Sequence, residues 1–171
     1  MDSTKQGISK KIALLGSHAV GKTSLISRFV TREFPNEYLT TIGLRVDQKT
    51  VQLGDLTVEL IIWDIAGQDD PVRIPQYYLN GAHGYIFVVD LSRESTWSQM
   101  DHQIQVLEAM MPKAKRLVAG NKKDLLSDKE LQELKLPVTP DFLTSAFTGE
   151  NVDEMFHHLA QILVHDDATT A

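Results

Sequence analysis

Eight residues constrain this chain more than any others: Gly16-Ser-His-Ala-Val-Gly21-Lys22-Thr23. They match G-x-x-x-x-G-K-[ST] and stand between an apolar run, Lys11-Ile-Ala-Leu-Leu15, and a stretch with Leu25, Ile26 and Phe29 on one helical face. The pattern needs a strand to deliver the loop, glycines to let its backbone curl, and a helix whose first N–H groups point back into the curl. Consecutive N–H groups then form an anion nest, and the helix N-terminus adds partial positive charge. A four-position match of this kind arises by chance in roughly 1 of 100 chains this long. The strand–loop–helix setting makes a solvated glycine-rich turn the poorer reading. We therefore expect Gly16, His18, Ala19, Val20 and Gly21 to wrap the phosphates of a nucleoside triphosphate, with Ser24 in the first helical turn. Lys22 would reach the outer phosphates, and the Thr23 hydroxyl would ligate Mg²⁺.

The remainder of the 171 residues repeats the same alternation. Leu44 to Leu53 and Leu56 to Trp63 read as strands joined at Gly54-Asp55, and Tyr85 to Leu91 as a strand buried on both faces. Trp97, Met100, Ile104, Leu107 and Met111 form a helical stripe, which we assign to core packing. Arg116 to Gly120 and Phe142 to Ser145 are further strands. Ser127-Asp-Lys-Glu130 reads as a capping box. Asn151 is expected to cap a last helix, with its tail from His165 to Ala171 frayed. This order predicts one α/β domain over 1–171, with a mainly parallel sheet and ligands beyond the carboxyl ends of its strands.

Composition excludes several classes. The formal charge is −6 with no basic block, a poor basis for gripping nucleic acid. Cysteine is absent, so disulfides, thiolate zinc sites and prenyl attachment to this sequence are out. No signal peptide or spanning segment is evident, and the expected compartment is the cytosol. His157, His158 and His165 with Asp153 and Glu154 lack closed-site metal spacing and read as a solvated helix face.

Two further segments refine the ligand. Asn121-Lys122-Lys123-Asp124 follows a strand, and a carboxylate at Asp124 can accept hydrogen bonds from N1–H and the 2-amino group of guanine. Adenine has neither donor, so the pairing selects against it. Alone the tetrapeptide is a charged turn; behind a phosphate loop it reads as a base site. Trp63-Asp64-Ile-Ala-Gly67-Gln68 closes another strand. Asp64 there can hold Mg²⁺ through a water, Gly67 can bring a backbone N–H to the γ-phosphate, and Gln68 can orient an attacking water.

With these residues in this order, the chain resembles the Ras superfamily of small GTPases over about residues 10–164. It is most like the Rab branch, through Thr41-Ile-Gly43, Trp63-Asp-Ile-Ala-Gly-Gln68 and Tyr77-Tyr78-Leu-Asn-Gly-Ala-His-Gly84. The resemblance implies a P-loop NTPase fold, a six-stranded, mostly parallel sheet flanked by five helices. It makes Thr41 the switch threonine on Mg²⁺ and the γ-phosphate, Phe34 the ring edge-on to guanine, and Tyr38 the ring folding over the phosphates. Ser145-Ala146-Phe147 resembles the Ser-Ala-Lys loop whose Ala N–H reaches the guanine carbonyl. Gln68, Lys22 and Thr41 would then carry catalysis of GTP hydrolysis to GDP. Exchange factors, activating proteins and effectors would read the switch segments of a monomer recruited to membranes through partners.

Departures from the family pattern are specific. His18 stands where relatives carry Gly or Ser, near the path of an incoming arginine finger, which suggests slow hydrolysis. Asp69-Asp70-Pro71 replaces Glu-Arg-Phe, Val46 replaces Phe, and Phe147 replaces Lys. Only 20 residues separate Asp124 from Ser145, implying a shortened fourth helix. The long tail with terminal cysteines is missing; either the sequence is truncated or the protein works, as we expect, with no direct lipid anchor. A nucleotide-locked docking module with little hydrolysis is the competing expectation.

Overall fold

Strands with apolar residues at every position bury both faces, and they need helices on both sides. The structure, a computed structural model, describes residues 7–37 and 40–170, with side chains through 165. Among these residues, six strands form one sheet: β1 (Gly7–Leu15), β2 (Leu44–Leu53), β3 (Leu56–Ile65), β4 (Gly84–Asp90), β5 (Lys115–Asn121) and β6 (Phe142–Leu143). Their order is β2-β3-β1-β4-β5-β6; β2 runs antiparallel to β3, and the other pairs are parallel. Five helices accompany them: α1 (Lys22–Thr31), α2 (Gln76–Leu79), α3 (Met100–Met110), α4 (Asp128–Glu133) and α5 (Val152–Thr170).

Side-chain alternation divides the core into two layers. Ile12, Leu14, Ile86 and Val88 point to the face covered by α1 and α5, where Phe29 and Phe156 stack with ring centroids 4.1 Å apart. Ala13, Leu15, Tyr85, Phe87 and Val89 point to the other face, against Ile104 and Leu107 of α3. Every residue of β4 is buried. Burial of each large side chain contributes about 1.5–3 kcal/mol, so the sheet centre is the least deformable part of the molecule. Strand β1 lies where the chain turns from building toward β2 to building toward β6. The crevice beyond its carboxyl end is therefore the place a ligand takes in such sheets.

The expected capping box forms, with Ser127 Oγ accepting from Glu130 N–H and the Glu130 carboxylate accepting from Ser127 N–H. Helix α4 is short, six residues. Three local expectations need correction. Asn151 does not cap α5 with its side chain: its Nδ2 donates to Leu143 O at 2.8 Å, and its backbone is left-handed at φ 57°. The return turn, with Gly149 N–H donating to Ser145 O at 2.8 Å, swings that side chain toward β6. Nor does α5 end at His165; it continues through Thr170. The stripe beginning at Trp97 also starts early, since α3 opens at Met100. Trp97 lies in the preceding turn yet packs against the same core layer.

Candidate functional site

The loop from Gly16 to Gly21 leaves β1 and feeds α1. Gly21, at φ +100°, has no room for a side chain, because a Cβ would run into the Asn121 amide. Lys22 is buried to 6% exposure, and its ammonium folds back to donate to Gly16 O at 3.1 Å and Ser17 O at 2.8 Å. Burial pulls its pKa down to about 8, opposed by the charges of Asp64 and Asp69 and aided by Arg93. A buried ammonium at the mouth of a glycine-rich loop that opens a helix suits an anion. A cleft of about 490 Å³ opens there, lined among others by His18, Ala19, Ser24, Phe34, Thr41 and Gly67. Val20 is fully buried beneath the loop, whereas the His18 side chain is exposed.

Three oxygens converge beside Lys22. Thr23 Oγ1 lies 2.7 Å from Thr41 Oγ1 and donates to Asp64 Oδ2 at 2.6 Å, while Thr41 Oγ1 is 3.3 Å from the same carboxylate oxygen. Asp64 is 1% exposed, and its Oδ1 is buried without a hydrogen-bond partner. Burial pushes this carboxyl up, against the lowering effects of Thr23, Lys22, Thr41 and Arg45. A hard-oxygen set with an unsatisfied carboxylate suits Mg²⁺. Among the described residues no cluster of three or more His, Cys, Asp or Glu offers a rival metal site. The loop after β3 closes over the same point: Gln68 N–H donates to Gly16 O at 3.2 Å, and a Cβ on Gly67 would overlap the His18 backbone.

Next to the loop one asparagine joins three segments. Asn121 Nδ2 donates to Val20 O at 2.9 Å, and its Oδ1 accepts from Thr144 Oγ1 at 3.1 Å and Ala146 N–H at 3.2 Å. The Ala146 amide is thus engaged, and a base carbonyl would share it with Asn121. Lys122 is left-handed at φ 63°, held because its ammonium bonds Ala19 O and Asp90 Oδ2, at 2.8 and 2.7 Å. Ser145 Oγ donates to Asp124 Oδ1 at 2.6 Å, which holds that carboxylate in one orientation. Phe147 and Phe34 meet edge to face, centroids 5.4 Å apart, and both are substantially exposed. Of the residues expected from the sequence, His18, Ala19, Gly21, Lys22, Thr23, Ser24, Phe34, Thr41 and Gly67 line the cleft, Asp64 bonds Thr23, and Asn121, Lys122 and Phe147 tie the segments around 121–124 and 145–147 to the loop and to Phe34; Tyr38 lies outside the described residues.

Several supporting residues escaped sequence reasoning. Arg28 of α1 holds the base loop from below, donating to Ala146 O at 2.9 Å and Phe147 O at 2.5 Å. Gln103 of α3 is buried and donates to Asp69 O at 2.5 Å, fixing the chain just after Gln68. Nothing local marks either residue. Asp90 did carry a signal, an acid closing an apolar strand on the ligand side of the sheet. Burial would raise its pKa, but the Lys122 and Ser92 bonds outweigh that and lower it. A carboxylate held below its unfolded value stabilises the fold above that value and loses the effect as pH falls through the folded one. Acid denaturation should therefore flatten between about pH 4 and lower pH in Asp90→Asn relative to wild type. Parallel acid curves would show that the Lys122 pair contributes nothing.

Fold and site together define a phosphate-loop nucleotide-binding protein in which the segments bearing Thr41 and Gln68 meet the loop beside Lys22. Residues 11–165 match the model of the Ras family. Ras-related protein Rab-13 of Canis lupus familiaris is 35% identical, over 88% of this chain and 78% of that protein. Ras-related protein RABF2a of Arabidopsis thaliana is 33% identical, over 94% and 84% respectively. Rab-13 of Bos taurus is 34% identical over 88% and 78%. The chain belongs to the Ras family and is a Rab-like small GTPase. No helix among the described residues is long and apolar enough to cross a membrane.

Proposed function

We propose that this GTPase binds GTP with Mg²⁺, hydrolyses it to GDP and phosphate, and through its two nucleotide states regulates membrane traffic. The observation that carries the reading is the meeting of Thr23, Thr41 and Asp64 oxygens beside Lys22, with Gln68 tied to the same loop. Guanine is held by Asp124, with Ser145 orienting the carboxylate and Phe34 and Phe147 flanking the ring. Lys22 and the loop amides hold the β- and γ-phosphates. Thr23 and Thr41 would hold Mg²⁺ directly and Asp64 through a water, and the ion supplies charge neutralisation at those phosphates. Gln68 orients a water whose oxygen attacks the γ-phosphorus. The bond to the β–γ bridging oxygen breaks, that oxygen leaves with GDP, and the water's proton departs with the phosphate.

Denaturing freshly purified, undialysed protein and separating the released nucleotide by ion exchange tests the base site. Near-stoichiometric GDP or GTP is expected; ATP, or an empty protein, would refute the reading of Asp124. In single-turnover hydrolysis, Gln68→Leu should be slower on the order of tenfold or more, and an unchanged rate removes Gln68 from the reaction. The traffic reading predicts that a fluorescently tagged Gln68→Leu form concentrates on membrane-bounded compartments, where Thr23→Asn stays diffuse. Identical distributions would exclude it.

A further inference from the structure

Beyond β4 the chain turns through Asp90-Leu-Ser-Arg93, and this turn is tightly fastened. Asp90 Oδ1 accepts from Ser92 N–H at 3.0 Å and Ser92 Oγ at 2.6 Å. Arg93 N–H donates to Asp90 O at 3.0 Å, and Arg93 O accepts from Thr96 N–H at 3.0 Å and Thr96 Oγ1 at 2.8 Å. The Arg93 backbone is thereby fixed at the ligand end of the sheet. From there its guanidinium spans to the phosphate loop, where Nη2 donates to His18 O. The loop residue it grasps is the same one against which Gly67 packs. Its Nε is buried and has no hydrogen-bond acceptor.

That arrangement is costly in the protein alone. A buried donor without an acceptor costs about 1–3 kcal/mol, more when it is charged. The guanidinium is also near enough to Lys22 for its charge to disfavour the ammonium. Two cations gathered at one point repel, and a polyanion at that point reverses the sign. A guanidinium presents a planar fork of five donors suited to phosphate oxygens, of which one is engaged here.

We propose that Arg93 contacts the γ-phosphate of GTP and acts as an arginine finger supplied in cis. The inference rests on the GTPase reading of the site. Its Nε and remaining Nη donors stabilise charge on the equatorial γ-oxygens as the bridging bond breaks, and no proton leaves the guanidinium. An arginine inserted by an activating protein would then meet a position already served from within, over a rim that the exposed His18 also occupies. A bracing role is the alternative. An arginine that only ties down the loop would support GDP and GTP alike.

The test uses the full chain and three variants, Arg93→Met, Arg93→Lys and Arg93→Gln, with fluorescent GDP and GTPγS. Glutamine can still donate to His18 O, so it keeps the brace and removes the charge should the methionine variant fold poorly. We expect Arg93→Met and Arg93→Gln to weaken GTPγS binding about tenfold more than GDP binding. Single-turnover hydrolysis should fall about 10- to 100-fold, short of the about 10³–10⁵ of a fully placed finger. Arg93→Lys should be intermediate. Equal losses for both nucleotides, or hydrolysis by Arg93→Gln at the wild-type rate, would overturn the proposal. Wild type is measured in parallel: failure to hydrolyse GTP would count against the GTPase reading, while the GTPγS-to-GDP preference still decides on Arg93.

Discussion

Lys22→Met is expected to abolish tight nucleotide binding, lowering affinity for GDP by about 10³-fold and hydrolysis at least as much. The ammonium is buried at the floor of the loop and already fixed on two carbonyls, Gly16 O and Ser17 O. It therefore meets phosphates with little loss of side-chain entropy. Hydrogen bonds to charged groups contribute about 1.5–3 kcal/mol each, and losing two such contacts to phosphate oxygens accounts for a change of this size. Titration with fluorescent GDP measures it directly. An affinity within tenfold of wild type would mean that the loop amides hold the phosphates unaided.

Asp124→Asn should produce the other large change, and one with a chemical signature. In the proposed base site the carboxylate would accept from two guanine donors; an amide oxygen would accept one and its NH₂ would face the other donor. Loss of about 10²–10⁴ in GDP affinity follows from two charge-assisted bonds. Xanthine carries a carbonyl where guanine carries the 2-amino group, so the asparagine NH₂ can donate to it. Xanthosine diphosphate should consequently recover a large part of the lost affinity. The Ser145 hydroxyl, now 2.6 Å from Asp124 Oδ1, can still donate to the amide oxygen, which keeps the replacement oriented. Equal weakening for both nucleotides would place the base elsewhere.

The legible parts of this molecule were those written in local patterns. The hairpin strand from Leu44 to Leu53 has the bounds read from its sequence, and β3 runs two residues further, to Ile65. The phosphate loop, the capping box at Ser127 and the apolar β4 likewise follow from spacing alone. What was not legible depends on chain segments far apart in sequence. Arg93 reaches a carbonyl 75 positions away, and Arg28 reaches two carbonyls 118 and 119 away, with no motif to announce either. Four-residue α2 is too short to show a helical period. Asn151 looked like a cap because capping preference is a local statistic, whereas its neighbour Leu143 arrives only with β6.

The knot at Asn121 has a temporal consequence. Its amide and the Lys122 ammonium bind the phosphate loop and the base loop into one body through four hydrogen bonds. The segments bearing Thr41 and Gln68 reach that body through a few contacts with Thr23, Asp64 and Gly16. On the proposed function, residence and reporting would thus fall to different parts of the molecule. In the proposed switch the knot would set how long a nucleotide stays, because it would sense the base and inner phosphates common to both forms. Which nucleotide is present would be announced by the Thr41 and Gln68 segments, which would let go without loosening it. A protein that hastens release therefore gains most by prising at the Thr41 and Gln68 side, leaving the base end intact to receive the next nucleotide.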